Sequence, residues 1–167
     1  FKRNWLAQLS DRPIRLRALP AARKQRLVES DALPADWGGY ANHVDAATCA
    51  HLWPAGEQEA WSRLQAFINS DIGRYDRQRD FPAINGTSTL SPYLAAGVLS
   101  ARQCLVMAQQ AANQGASAAN GIDVWISELC WRDFYKHILV GFPHVCRHQA
   151  FKRETDALVW RHDDALF

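Results

Sequence analysis

The sequence lacks the features that mark several special classes of protein. It contains one methionine, Met107, and begins at Phe1 rather than at a methionine. No apolar run approaches the ~18–20 residues of a membrane span, so we predict neither a transmembrane segment nor a membrane partner. The opening residues are basic and include Trp5, which is unlike a signal peptide. Because both ends look cut, we expect this chain to be part of a longer protein.

Cysteine is also scarce, and no two cysteines form a Cys-x-x-Cys pair. This wide spacing favours free thiols in a reducing compartment over a disulfide framework, and we expect the cytoplasm. Residues 144–148 combine His144, Cys146 and His148, but the chain has no second ligand pair at zinc spacing, so we predict no metal. The four cysteines are Cys49, Cys104, Cys130 and Cys146.

What the chain does contain indicates a folded protein with uneven charge. Hydrophobic residues make up 48% and charged residues 22%, which excludes a disordered chain. Residues 1–26 carry eight Lys or Arg against Asp11 alone, whereas residues 27–66 carry six acids against Arg63 alone. The two stretches either bind a polyanion or pair with each other, and both interpretations stay open. Because prolines divide residues 1–56, we predict a connector there with a short helix or two.

Helical periodicity begins after residue 56. An apolar stripe of Trp61, Leu64, Ile68 and Ile72 predicts a helix of about five turns. Residues 79–86 are predicted to form a loop, and Ser91 to cap a short helix that Gly97 closes. Further helices are predicted over about 101–113, capped by Ser100, and over about 122–140, with a last helix or turn around 156–161. No segment shows sustained strand alternation, so the predicted fold class is all-α.

The turn at residues 86–92 places a glycine and four hydroxyl residues just before a helix start. Unpaired backbone N–H groups and the positive end of the helix dipole suit a phosphate at such a point. An ordinary N-cap needs only one of these hydroxyls, so the sequence alone leaves both interpretations open.

The long predicted helix carries Glu128 and Arg132 four residues apart on one face with Trp125. One interpretation is an ordinary helix salt bridge. The other is a buried charged pair beside the indoles of Trp125 and Trp131, which suits a planar, polar heterocycle, because rings stack on it while the carboxylate and guanidinium bind its polar atoms.

Three stretches resemble the DNA photolyase/cryptochrome family. They are YDRQRDFP at residues 75–82, GTSTLSPYLAAGVLSARQ at 86–103 and WISELCWRDFY at 125–135. The resemblance is strong over residues 57–167, weaker through the connector, and nearest to bacterial cyclobutane pyrimidine dimer photolyases. It implies that residues 57–167 are the N-terminal half of a multi-helical FAD- and DNA-binding domain. An α/β domain with a folate or deazaflavin antenna chromophore would precede it.

The resemblance also implies roles for individual residues. The flavin would be held by Tyr75, Thr87, Ser88, Thr89, Leu90, Ser91, Trp125, Glu128 and Arg132. DNA would be contacted by Arg79, Glu128, Trp131, Arg132 and Tyr135. Glu128 would bond the base edges of the lesion, Trp131 would stack on it, and Trp160 would be the outermost member of a tryptophan electron-transfer chain. Thr89 departs from the family, which often has Arg there.

The activity implied is light-driven repair of pyrimidine dimers in DNA by electron transfer from reduced FAD, with no obligate protein partner. One alternative is a cryptochrome-type photosensor without repair activity, and another is a cofactor-free helical module that binds nucleic acid or protein. Because the matching sequence stops at Phe167, the rest of the flavin pocket and the inner two tryptophans would lie beyond it. We therefore expect residues 1–167 alone to bind FAD poorly and to be inactive.

Overall fold

The computed structural model describes residues 1–12, 14–16, 21, 46–113, 115 and 119–159. Within these residues all regular structure is helical, which confirms the predicted all-α class. The α-helices are α1 (Lys2–Asp11), α2 (Ala46–Leu52), α3 (Glu57–Ser70), α4 (Tyr75–Gln78), α5 (Ser91–Ala95), α6 (Ala101–Ala112) and α7 (Ala119–Gly141). In the described residues, 3₁₀ turns span Ile72–Arg74, Pro143–Arg147 and Arg153–Ala157.

Helix α3 buries the apolar stripe that the sequence predicts. Leu64 and Ile68 are buried, Ile72 continues the stripe in the following 3₁₀ turn, and Trp61 packs on the core while partly exposed. The regular α-helix is shorter than predicted, because it ends at Ser70 and the chain re-forms as a 3₁₀ turn and then α4. This break redirects the chain and places Tyr75 beside the middle of the core.

The two helix starts at Ser91 and Ser100 differ from each other. Ser100 caps α6 as predicted: its hydroxyl accepts from the Gln103 N–H at 3.2 Å while the Gln103 side chain accepts from the Ser100 N–H at 2.8 Å. Ser91 was predicted to be a cap, which is wrong, because Leu90 is the cap and Ser91 is the first helical residue. The Ser91 hydroxyl is therefore not used in capping. Gly97, at φ +74°, follows α5 as predicted.

Helix α7 crosses the rest of the domain at very short range. Gly121 is buried, and a Cβ there would collide with the backbone of Ile72 and Gly73. Ile122, Trp125 and Leu129 follow it into the core. The helix begins three residues earlier than predicted and ends, as predicted, at Gly141.

The predicted connector is described only near its two ends, as α1 and α2. Helix α1 lies on α7: the Trp5 Nε1–H donates to Asp133 Oδ2 at 3.1 Å and the Lys2 ammonium to Ser127 Oγ at 2.6 Å. Most of the acidic stretch, and the last predicted turn from Trp160 onward, lie outside the described residues. The division at residue 56 stays a prediction.

Two further properties concern thiols and helix hydropathy. Cys104 and Cys130 are buried free thiols and Cys146 is an exposed one, while the Cys49 side chain is outside the description. In the described part of the chain, no helix has both the length and the apolar character needed to cross a bilayer.

Candidate functional site

A cleft of about 520 Å³ lies between the turn before α5 and one face of α7. Clefts of similar size flank α1, but this one joins the two stretches that the sequence singles out. It is lined by Tyr75, Ser88, Leu90, Ser91, Leu94, Ala95, Trp125, Glu128, Leu129, Trp131, Arg132, Tyr135 and Lys136. The hydroxyl-rich turn and the indole–carboxylate–guanidinium face are thus two walls of a single cleft.

The turn at 86–91 is built on a close backbone approach at Gly86. A Cβ at Gly86 would collide with Gln78 in α4, so this position admits no side chain. Ser88 and Ser91 line the cleft. Within the described residues neither hydroxyl makes a hydrogen bond, so both can donate to a ligand.

Two of the predicted turn residues do not line the cleft. Thr87 is exposed, and Thr89 has a left-handed backbone with φ +49°. The Thr89 hydroxyl accepts a hydrogen bond from Arg63 Nη1 at 2.7 Å, and its carbonyl accepts one from Trp53 Nε1 at 3.1 Å. The hydroxyl and the carbonyl of Thr89 are therefore engaged with residues outside the cleft lining.

The opposite wall corrects the predicted Glu128–Arg132 pair. Glu128 is ion-paired with Arg79, and Arg132 Nη2 donates instead to the Leu94 carbonyl at 2.8 Å. The Glu128 side chain is 37% exposed, so the pair is not the buried one that the sequence suggested. The physical reason is the approach of α4 to α7, which brings a guanidinium to Glu128 from a distant part of the chain.

Aromatic rings connect this ion pair to the core. The Arg79 guanidinium lies 5.4 Å from the Tyr75 ring centroid, and Tyr75 meets Phe67 edge to face at 5.9 Å. Phe67 in turn packs on Trp125 at 5.4 Å. Burial raises the pKa of the Tyr75 phenol, so it is protonated at neutral pH, and the hydrogen bond to Glu128 raises the pKa of Arg79.

Two large aromatic side chains stand exposed at the rim. Trp131 is 51% exposed and Tyr135 60%, with ring centroids 6.1 Å apart. Phe134 meets both rings, at 5.4 and 5.5 Å. An aromatic cluster that is partly exposed to water is typical of a surface that stacks on a flat partner.

Part of the cleft lining was not predicted from the sequence. Lys136 lies one turn beyond Arg132, so the Glu128, Arg132, Lys136 spacing would have indicated it. Leu94, Ala95 and Leu129 form the apolar floor and carry no chemical signal of their own. Arg79 is not itself a lining residue, but its hydrogen bond to Glu128 holds it beside the cleft.

The chemistry of the cleft suits a planar, polar ligand with phosphates. Among the described residues, the Ser88 and Ser91 hydroxyls have no partner and the Arg132 guanidinium has one, so these groups are available for anions, and rings are available for stacking. In the part of the chain that is described, no three His, Cys, Asp or Glu side chains are grouped to hold a metal ion. Trp160 lies outside the described residues.

Comparisons with known proteins identify the family. No family model matches the chain. The Neurospora crassa deoxyribodipyrimidine photo-lyase is 46% identical over 114 residues, or 67% of this chain and 18% of that protein. The Escherichia coli photo-lyase is 36% identical over 167 residues, 99% of this chain and 34% of that protein. The Vibrio cholerae photo-lyase is 35% identical over 173 residues, covering 100% and 35%.

A solved structure agrees with these sequences. The bacterial class III photolyase of Agrobacterium tumefaciens matches with a TM-score of 0.64 and 34% identity, over 71% of this chain and 24% of that one. The chain spans about a third of the length of the Escherichia coli and Vibrio cholerae relatives. With the same helical architecture and this level of identity, the chain belongs to the DNA photolyase/cryptochrome family.

Proposed function

We propose that the chain is the first half of the FAD- and DNA-binding domain of a light-driven enzyme that repairs cyclobutane pyrimidine dimers. The observation that carries this proposal is the single cleft shared by Ser88 and Ser91 with Glu128 and Arg132. The relatives named deoxyribodipyrimidine photo-lyase support the reaction class.

The residues of the cleft fit a flavin dinucleotide. Ser88 and Ser91 have hydroxyls without partners among the described residues, and Arg132 uses one donor on Leu94 and keeps others for an anion. Leu90, Leu94 and Leu129 give an apolar surface on which rings of the cofactor would lie. We assign the phosphates and ribityl chain of FAD to the Ser88–Ser91 side of the cleft.

The exposed rim suits a pyrimidine dimer flipped out of a DNA duplex. Trp131 and Tyr135 offer ring faces for stacking, and the Glu128 carboxylate offers acceptors for base N–H groups. Arg79 lies beside the cleft, paired with Glu128. On DNA it would release Glu128 and bind a phosphate of the DNA backbone instead. A damaged, poorly stacked site flips at lower cost than an intact one, which favours the lesion over normal DNA.

The chemistry that the cofactor would supply when bound is transfer of one electron from light-excited reduced FAD to the dimer, with return of the electron after the cyclobutane ring has split. The chain's own residues bind and orient the two partners. Glu128 would hold the lesion in register through its base edges, and the apolar floor would exclude water. Trp160 is proposed to be the outer member of an electron-transfer chain.

Several parts that the proposed reaction needs are proposed to lie elsewhere in the same protein. These are the second half of the flavin pocket, the inner tryptophans and a domain with a folate or deazaflavin antenna. The free thiols Cys104, Cys130 and Cys146 support a reducing, cytoplasmic location.

The test uses the complete protein that contains these 167 residues. We expect it to purify with FAD and, after reduction, to remove thymine dimers from an oligonucleotide under blue light but not in darkness. Bound FAD without light-dependent repair would support a photosensor instead. Absence of flavin binding would support a cofactor-free binding module and would overturn the proposal.

A further inference from the structure

We propose that Arg63, on α3 and outside the cleft lining, is a positioning residue for the flavin-binding turn. Its guanidinium bridges Leu52 and Thr89 and so holds the turn in the conformation that directs Ser88 and Ser91 into the cleft. This inference rests on the proposed function, because it concerns the same flavin site.

The bridge has two well-formed hydrogen bonds. Arg63 Nη1 donates to the Thr89 hydroxyl at 2.7 Å, and Nη2 donates to the Leu52 carbonyl at 2.7 Å. The guanidinium also lies 5.8 Å from the Tyr93 ring centroid, and the Tyr93 hydroxyl donates to the Pro54 carbonyl at 2.8 Å. These contacts tie the segment before α3 to the turn and to α5.

The backbone of the turn needs such support. Thr89 is at φ +49°, in the left-handed region that β-branched residues rarely adopt. In a chain without external contacts, this residue would relax to negative φ and rotate the neighbouring serines. The Trp53 indole donates to the Thr89 carbonyl at 3.1 Å and so holds the backbone of Thr89. The Arg63 bridge holds its side chain at the same time.

The bridge also bears on the departure from the family at position 89, where this chain has Thr and the family often has Arg. The residue there is a short hydroxyl rather than a long cation, so it cannot itself reach a distant partner. Arg63 is the only cation among residues 27–66, and its side chain ends on that hydroxyl. The positive charge at this turn is thus supplied from α3, behind the turn, where it orders the backbone without lining the cleft.

The experiment measures FAD affinity of the complete protein by flavin fluorescence for wild type, Arg63→Ala, Thr89→Gly and the double variant. We expect Arg63→Ala to weaken binding about tenfold, within the range of coupling seen for directly contacting residues. Glycine adopts positive φ freely, so in the Thr89→Gly background the same substitution should cost less than about threefold. Arg63→Lys, which retains charge but not the two-pronged bridge, should fall between wild type and Arg63→Ala.

Controls separate positioning from loss of folding. Arg74→Ala removes an exposed arginine whose guanidinium bonds Asp71 at 2.8 Å and makes no bond to the turn. This variant should leave FAD affinity unchanged. If Arg63→Ala does not fold, Thr89→Val removes only the acceptor hydroxyl and should weaken FAD binding in the same direction. Amide hydrogen exchange of residues 87–91 without flavin should accelerate in Arg63→Ala and not in Arg74→Ala.

Two outcomes would overturn the inference. The first is that Arg63→Ala changes neither FAD affinity nor amide exchange. The second is that Arg63→Ala lowers FAD affinity equally with Thr and with Gly at position 89. Failure of the wild-type protein to bind FAD would instead overturn the proposed function. The exchange measurement needs no flavin and would still report on the bridge in that case.

Discussion

Arg79 donates a hydrogen bond to Glu128, a lining residue of the cleft, from a position 49 residues earlier in the chain. The side chains of both residues are about one-third exposed, at 30% and 37%. Water therefore screens the pair, and its contribution to folding is small. The pair matters because both side chains are proposed to contact DNA. In the free protein they bind each other instead.

Replacing Arg79 should affect DNA binding more than stability. We expect Arg79→Gln to lower the free energy of unfolding by no more than about 1 kcal/mol. It should reduce the slope of log affinity against log salt by about one phosphate contact. Titrations of labelled duplex at several salt concentrations measure this slope. Arg74→Gln is the matched control, and an unchanged slope for Arg79→Gln would remove Arg79 from the DNA surface.

Removing the exposed indole should weaken recognition of the lesion. Trp131→Ala is expected to reduce affinity for dimer-containing DNA by about 1–3 kcal/mol, the usual contribution of one stacked base. Because Trp131 is half exposed, the melting temperature should change little. Phe142→Ala, just after the last residue of α7 and outside the cleft lining, serves as control. Equal affinities for Trp131→Ala and wild type would contradict the pocket assignment.

The close helix crossing should be intolerant of a single methyl group. Gly121→Ala places a Cβ against the backbone of Ile72 and Gly73, which cannot move aside as a flexible side chain could. We expect a loss of about 1–3 kcal/mol in urea unfolding. Gly141→Ala, in the same helix with open space around it, should be neutral or slightly stabilising. Similar stabilities for the two variants would show that the crossing is looser than described.

The thiols should differ sharply in reactivity. Burial raises the pKa of Cys104 to about 11 from its ordinary value of 9.0. At pH 8 about 0.1% of this thiol would be ionised, and the thiolate is the reactive species. Iodoacetamide followed by peptide mapping should modify the exposed Cys146 well before Cys104. Rapid labelling of native Cys104 would contradict its burial.

The same pKa shift predicts a pH dependence. The unfolded chain loses the Cys104 proton near pH 9, whereas the folded chain keeps it until about pH 11. Stability contributed by the neutral thiol is therefore complete below pH 9 and falls as the pH rises through this window. Urea unfolding of Cys104→Ala should show a shallower decline between pH 9 and pH 11 than wild type.

Local patterns predicted the local structure. The stripe through Leu64 and Ile68 follows from helical periodicity, and the cap at Ser100 from a hydroxyl residue at the start of a helical segment. Both depend on neighbours within one turn of helix, which the sequence displays directly. The shared cleft also agrees with the resemblance, which implies that residues of the turn and of the long helix hold one flavin.

The relationships between distant segments could not be predicted in this way. The Arg79–Glu128 pair depends on how α4 approaches α7, and nothing local to Glu128 distinguishes that partner from Arg132. The conformation of Thr89 likewise depends on Arg63 and Trp53, which reach it from α3 and the segment before it. Negative φ is the usual conformation of a threonine, and here tertiary contacts accompany a positive one.

The crossing at Gly121 also sets the rotational phase of everything after it on α7. Each residue advances an α-helix by about 100°. Inserting or deleting one position between Gly121 and Trp125 would keep the crossing but turn Glu128 and Arg132 away from the serines by more than a quarter of a revolution. The spacing along this helix is therefore as strict a requirement as the identity of the side chains that it carries.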